Sequence, residues 1–238
     1  MSVIKFSKVA MSVSAAALFL SACSSGGSSS GGGVLSSNEV STRMSAADAQ
    51  ILKVIGDGTA DNPGISGTAF ERIPTEGTAV YRGVSTVMIS DGDNMVLDAV
   101  GIANVNVDFG AAEDADVVTG NLRNMRAMDA DGNATFVDGE LLLSGGEIGK
   151  RPDVEGVDNT SRANSLFADY AGSLSAFGET YGLAGELQGT LRGTRTNEDA
   201  RSVVRAVDLS VADASVAGSV SGLTADITVA ADNDFVAP

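Results

Sequence analysis

Ala103-Asn104-Val105-Asn106-Val107-Asp108-Phe109 alternates apolar and polar residues without a break. Successive side chains of a strand point to opposite faces. Ala103, Val105, Val107 and Phe109 therefore share one face, and Asn104, Asn106 and Asp108 share the other. Strict alternation over this length predicts a half-buried strand. From about Gly77 onward, short runs of this kind are separated by turn signals. These are Asp91-Gly-Asp-Asn94, Asp129-Ala-Asp-Gly-Asn133, Ser144-Gly-Gly146, Phe177-Gly178 and Thr196-Asn-Glu-Asp199. Few apolar stripes between them reach helix length. The pattern predicts an all-β antiparallel meander, closed into a barrel or folded into a sandwich.

A second feature favours the barrel. The unit Gly-polar-Leu/Val-polar recurs as Gly120-Asn-Leu-Arg123, Gly172-Ser-Leu-Ser175, Gly185-Glu-Leu-Gln188, Gly189-Thr-Leu-Arg192 and Gly218-Ser-Val-Ser221, with Gly139-Glu-Leu-Leu142 a near copy. Glycine weakens a strand. Its repeated use points to sharply coiled strands, or to large side chains packed over bare backbone, as in small closed barrels. The competing reading is a set of loose edge strands.

Ahead of this region lies an address. Lys5 and Lys8 give a positive start, Val9 to Leu20 is an apolar and small-residue run, and Leu20-Ser21-Ala22-Cys23 follows. That order is a secretory signal, too short to span a bilayer as a helix. Leu-Ser-Ala-Cys resembles the lipobox of bacterial lipoproteins. The resemblance implies cleavage before Cys23, the one cysteine of the chain, which then carries several lipid chains. It also implies sorting to the outer membrane, because Ser24 stands where Asp favours inner-membrane retention. Residues 24–33 are all Ser or Gly, a flexible tether. The expected organisation is a signal peptide at 1–22, a lipidated Cys and tether at 23–36, a short mixed segment at 37–74 and the β-rich body at 75–238. Within 37–74, Ser45-Ala-Ala-Asp48 predicts a short helix capped by Ser45 and ended by Gly56-Asp-Gly58.

The body carries a family resemblance. Gly77-Thr-Ala-Val-Tyr-Arg-Gly83 is similar to the strand that opens the β-barrel domain of transferrin-binding-protein-B-like lipoproteins. Val105-Asn-Val-Asp-Phe109 followed by Val118-Thr-Gly-Asn-Leu122 resembles that family's second cue, and Gly185 to Gly193 its late Gly-x-Leu-x-Gly segment. The resemblance spans about Thr75 to Ala231. It implies an eight-stranded antiparallel up-and-down β-barrel, lipid-anchored and displayed at the cell surface, binding an extracellular protein. The chain departs from the transferrin receptors in having one barrel, only a short segment before it, and four arginines between Thr190 and Arg205. No transferrin contact carries over to any residue here.

Composition narrows the function further. Lys and Arg total 15 against 31 Asp and Glu, a net charge of −16 at neutral pH. That balance excludes a nucleic-acid binder, which needs a basic face for phosphates. Histidine is absent, so there is no Ser-His-Asp or Cys-His unit and no imidazole metal site. One cysteine allows no internal disulfide. No nucleophile elbow or phosphate loop occurs, and the chain reads as non-enzymatic with no cofactor. Asp129, Asp131, Asn133 and Glu140 echo the spacing of a calcium loop. With Ala134 at the glycine position and strand-like flanks, a hairpin explains them better.

What remains are basic residues in polar connections: Lys150 and Arg151 in the long stretch Gly145 to Ser165, and Arg192, Arg195, Arg201 and Arg205. They are the candidate partner-binding residues; the plainer reading is ion pairing with Glu198, Asp199 and Asp208. The favoured function is a non-catalytic binding lipoprotein whose loops touch a protein partner. Its rivals are a lipocalin-like carrier of a small ligand inside the barrel and a structural or adhesive envelope protein.

Overall fold

The computed structural model describes residues 35–69, 72–112, 115–149, 164–193 and 204–236. Cys23, Lys150, Arg151, Arg195 and Arg201, and the turn expected at Thr196 to Asp199, lie outside them.

One helix, α1 (Ser37–Val54), precedes nine strand segments: β1 (Thr78–Asp91), β2 (Asn94–Asp108), β3 (Val118–Met128), β4 (Ala134–Phe136), β5 (Asp138–Ile148), β6 (Ser165–Ala176), β7 (Glu179–Arg192), β8 (Ala206–Ala217) and β9 (Thr224–Asp232). Every neighbouring pair is antiparallel. β4 and β5 both pair with β3, the first through Arg126↔Phe136 and the second through Leu122↔Leu141. They are two halves of one stave, broken at Val137. The first and last strands pair from Arg82↔Asp232 to Ser90↔Thr224, which closes the sheet on itself. The result is an eight-stranded up-and-down antiparallel β-barrel, as the sequence predicts.

The alternation that opens the sequence reading is literal in the fold. Ala103, Val105 and Val107 are fully buried in the barrel, while Asn104, Asn106 and Asp108 stay on the outer wall. The same parity runs through the other staves, so one apolar cluster fills the interior. Leu122, Leu141, Leu174, Leu187, Leu209 and Ile227 have no accessible surface at all. Polar residues bond across the outside: Asn104 Nδ2 donates to Asn121 Oδ1 (2.9 Å), and Asn121 Nδ2 to Glu140 Oε2 (3.1 Å). Apolar inside and polar outside is the reverse of a membrane-spanning barrel. No helix among the described residues is long and apolar enough to cross a membrane.

The glycine repeat has both of its expected causes. A side chain at Gly120 or Gly189 would collide with the carbonyl oxygen of Asn104 or Asp208, so neighbouring backbones approach too closely for a Cβ. At Gly185 the obstacle is a side chain, for a Cβ there would come within 3.1 Å of the Tyr170 hydroxyl. The partner leucines Leu122, Leu174, Leu187 and Leu191 are all fully buried. Gly218-Ser-Val-Ser221 is different: it lies in the β8–β9 connection, with Val220 exposed. Ser144-Gly-Gly146 is a bulge inside β5 rather than a turn; the β5–β6 register shifts there, and Gly145 and Gly146 have φ of 64° and 78°.

The helix starts nine residues before the Ser45 cap that the sequence suggests. Its N-cap is Ser36, whose side chain accepts from the Glu39 N–H while the Glu39 carboxylate accepts from the Ser36 N–H. This capping box holds two helix-end donors that would otherwise lack partners. Ser45 sits mid-helix and donates to the Ser41 carbonyl. Val40, Met44, Ala47, Ile51 and Val54 form one stripe at three- and four-residue spacing. That stripe packs on the outer wall over Val84, Val100, Ala206 and Ala230.

Two glycines make a test of this packing. In Gly189→Ala the new methyl meets backbone, which cannot yield without breaking the β7–β8 ladder. In Gly185→Ala it meets the far end of a tyrosine. Urea unfolding should place Gly189→Ala several kcal/mol below the parent and Gly185→Ala about 1 kcal/mol below, with Tyr170→Phe relieving the second alone. Equal losses at the two positions would refute the assignment.

Candidate functional site: the loop-bearing end of the barrel

Up-and-down topology puts alternate connections at opposite ends. At one end lie the short ones: the Gly92-Asp93 turn, residues 129–133, the Phe177-Gly178 turn and residues 218–223. At the other lie residues 109–117, 149–164 and 193–205, the entry into β1 and the exit from β9. The two connections that carry Lys150, Arg151, Arg195 and Arg201 therefore leave from the same end, which also holds Arg192 and Arg205. Their roots are pinned: Gly149 N–H donates to the Ser165 carbonyl (2.8 Å), and Arg205 N–H to the Arg192 carbonyl (2.7 Å). The long connection is thus shorter than Gly145 to Ser165, because β5 continues to Ile148 and β6 begins at Ser165.

Arg192 is spent inside the chain. Its Nε pairs with Asp208 across the β7–β8 ladder, and its Nη1 donates to the Ile65 carbonyl (2.9 Å). Both side chains are largely covered, at 16% and 13% exposure. Around them the 65–68 segment lies along the end of β7: Thr68 N–H bonds the Leu191 carbonyl, and Gly193 N–H the Ser66 carbonyl. Arg192 is therefore the clamp that holds the helix-to-barrel crossover against the wall. Arg205 is freer: it pairs with Asp234 at 2.9 Å, both groups well exposed.

Sequence reasoning missed the neighbouring clamp at Asp232. Its Oδ2 accepts from Gln50 Nε2 (3.0 Å) and Lys53 Nζ (2.5 Å), and its Oδ1 accepts from the Asp234 N–H (2.9 Å). It fastens the end of α1 to the end of β9. The one local signal is an Asp closing the apolar run Val229-Ala-Ala231, and that does not reveal the helix above it. Tyr81 closes the barrel beneath, its hydroxyl donating to the Val204 carbonyl (3.1 Å), with Ile73 beside it in the same apolar cluster. Burial pushes the Tyr81 phenol well up, so it stays a neutral donor.

On the outer wall of β7 and β8 lies a shallow groove of about 510 Å³ lined by Ser165, Glu186, Gln188, Thr190, Ser210 and Ala212, among others. It sits where the β7–β8 ladder is interrupted between Leu183 and Gln188. Its lining combines hydroxyls, an amide and the Glu186 carboxylate, suited to polar contacts with an extended partner. The interior offers less. A side chain bordering a space that admits water keeps accessible surface, and the leucines lining the barrel have none. That packing gives the carrier reading no support.

Among the described residues no group of three or more His, Cys, Asp or Glu is placed to hold a metal ion. The calcium-like spacing is a hairpin between β3 and β4. Asp129 accepts from Asp131 N–H, Asn133 N–H and Asn133 Nδ2 within 3.0 Å, and these bonds hold its carboxyl below the ordinary range.

Comparison with protein-family models, curated proteins and solved structures gave no match.

Two predictions follow from the clamps. Replacing Arg192 by Met strands the Asp208 carboxylate against the wall and should cost about 2–4 kcal/mol, while Arg205→Ala should cost at most about 1. Burial already pushes the Asp208 carboxyl up, against the pull of Arg192. Without Arg192 it rises further, so the Arg192→Met deficit should shrink as pH falls and Asp208 protonates. A pH-independent deficit would refute the role.

The wild-type profile has a sign as well. Asp98, pushed up by burial and by Asp48, and Asp208 both favour the fold when protonated. Asp232 is penalised by burial, but Lys53, Gln50 and the Asp234 N–H outweigh this and hold it down. Its contribution is present above the ordinary carboxylate range and disappears as pH drops through its lowered value. Melting temperature should therefore rise on mild acidification from pH 7 and fall again below about pH 4. A monotonic fall from pH 7 would refute this balance.

Proposed function

We propose that this chain is a non-catalytic binding lipoprotein of the outer membrane, held by lipid on Cys23, whose barrel presents its loop-bearing end to a protein partner. The observation that carries the reading is the polarity of the barrel relative to its entry point. The N-terminus of α1 lies at the short-turn end, where Ser37 Oγ donates to the Gly132 carbonyl (2.7 Å). The helix then descends the wall to Asp232 at the other end, about 27 Å for its 18 residues. A chain tethered ahead of Ser36 is thus attached at the plain end, and its long connections leave from the opposite end. Rigid scaffolds commonly carry recognition on such connections.

The resemblance to transferrin-binding-protein-B-like lipoproteins agrees with this architecture. The segments that carry it lie on β1, on β2 and β3, and on β7. The packed interior weighs against a small-ligand carrier.

Lys150, Arg162, Arg195 and Arg201 are trypsin sites within the two long connections, whereas Pro152 blocks cleavage after Arg151, which gives a direct test. Trypsin should cut the protein on intact cells, and Cys23→Ser should release it from the membrane fraction. Protection until lysis would refute surface display; membrane retention of Cys23→Ser would refute the anchor. Because Gly149 and Ser165 are hydrogen-bonded, residues 150–163 can be replaced by a four-residue Gly/Ser turn. Closing the shorter loop changes stability by only about 1 kcal/mol, so melting should barely move. Crosslinking to partner proteins on intact cells should fall at least tenfold. Unchanged crosslinking would exclude this connection from the interface.

A further inference from the structure

Two exposed phenylalanines lie at the short-turn end. Phe136 ends β4 just ahead of β5, and Phe177 opens the turn that follows β6, the stave with which β5 pairs from Asp138↔Ser175 onward. Inward positions are Leu141 and Leu143 on β5 and Leu174 and Ala176 on β6. Phe136 and Phe177 have the opposite parity and lie on the outer face. They are 51% and 40% exposed. Val220, 49% exposed, lies at the same end in the β8–β9 connection, whose Ser219 Oγ bonds the Glu179 carboxylate at the start of β7.

Phe177 also occupies a costly conformation. In the two-residue turn between β6 and β7, Phe177 has φ of 53° and Gly178 has φ of 84°. Such turns take Asn, Asp or Gly at the first position because a Cβ is crowded there. A bulky aromatic is held there in a strained backbone with 40% of its surface exposed. Strain of this kind marks a place to look for a role.

The charges at this end are mixed. Asp91, Asp93, Asp131, Asp138 and Glu179 are exposed around the turns. Against them, the Arg126 guanidinium lies 5.1 Å over the Phe136 ring, and Arg43 is close enough to influence it. Aromatic rings with an adjacent arginine and scattered carboxylates match the headgroup layer of a zwitterionic bilayer, which offers both phosphate and quaternary ammonium.

The occupant is set by where the chain leaves. Twelve residues separate Cys23 from Ser36, a reach of at most about 45 Å and on the order of 20 Å as a coil. They join the barrel at this same end, through the Ser37–Gly132 bond. We propose that Phe136, Phe177 and Val220 form a seat on the lipid surface, docking the short-turn end on the bilayer that anchors the chain and holding the loop-bearing end outward. The proposal rests on lipidation of Cys23. A tether this short supplies a local concentration on the order of millimolar, so a surface too weak to bind membranes alone suffices to orient the barrel.

The chain contains no tryptophan, which makes the test clean. The lipidated full-length protein is reconstituted into phosphatidylcholine vesicles with or without brominated acyl chains. Single variants Phe177→Trp, Phe136→Trp and Leu142→Trp are compared; Leu142 is 53% exposed on the wall of β5. Brominated lipid should quench Phe177→Trp and Phe136→Trp by roughly half and leave Leu142→Trp within about 10% of its unbrominated signal. Phe177→Ser should lower the quenching of Phe136→Trp at least twofold. Flotation read in parallel separates the two claims. Protein that floats with vesicles yet shows equal quenching at all three positions overturns the seat and spares the anchor. Protein that fails to float overturns both. A concentration-dependent blue shift of Phe177→Trp without bromine quenching assigns the patch to a second copy of the chain and also overturns the seat.

Discussion

Everything in this molecule depends on the pairing of β1 with β9. Nine residue pairs, from Arg82↔Asp232 to Ser90↔Thr224, join the first stave to the last. Without them the sheet has two open edges and no inside. With them each alternating strand acquires a dry face and a wet face, and the first and last strands lose their open edges. Closure is also why glycine is needed. A narrow barrel forces neighbouring backbones together, and at Gly120 and Gly189 there is no room for a side chain. The leucines two residues on then fill the space that coiling creates.

Closure defines two ends, and the chain treats them differently. One end is finished with minimal turns; the other receives the crossover from α1, the C-terminal segment and all the longer connections. Two ion pairs make that second end firm. Lys53–Asp232 ties the helix to β9, and Arg192–Asp208 ties the crossover to β7 and β8. They stand beneath the long connections, so those connections spring from fixed roots. A binding surface built on such roots loses less on association, since only the loops need ordering.

Much of the fold was legible because its signals are local. Alternation at Ala103 to Phe109 needs only the strand's own geometry, and Asp91 to Asn94, Asp129 to Asn133 and Phe177-Gly178 announce turns by composition. Where the reading slipped, a local signal was ambiguous. Gly145-Gly146 suits a turn and a bulge equally well; only the pairing of Glu147 with Phe167 and Ser144 with Asp169 decides between them. Ser36 and Ser45 both suit a helix cap, and Glu39 three residues after Ser36 was the discriminating residue. The stripe from Val40 to Val54 was diluted by Ala47 and by polar neighbours. The candidate arginines were harder. Arg192 looks like a free surface cation because Asp208 and the Ile65 carbonyl are brought to it by closure and by the crossover, which no spacing in the sequence encodes. Asp232 is the same case at greater range, for its partners Gln50 and Lys53 precede the whole barrel.

The same reasoning explains why Phe136 and Phe177 escaped notice in the sequence. Each alone is an ordinary exposed aromatic beside a turn. Their meeting at one end, away from the long connections, exists only through the up-and-down order of the strands. An end made of short turns has little reason of its own to carry apolar side chains, since a two-residue turn with Asn or Gly at its first position would be less strained and better hydrated. The loop-bearing end turns Ile73 and Tyr81 inward as a plug; the large apolar side chains that its described residues leave exposed are aliphatic, Val80 and Val236 among them. The two ends thus divide the labour that one small barrel must perform. One offers polar, rooted connections to the surroundings, and the other offers a small apolar rim on the side from which the chain is tethered.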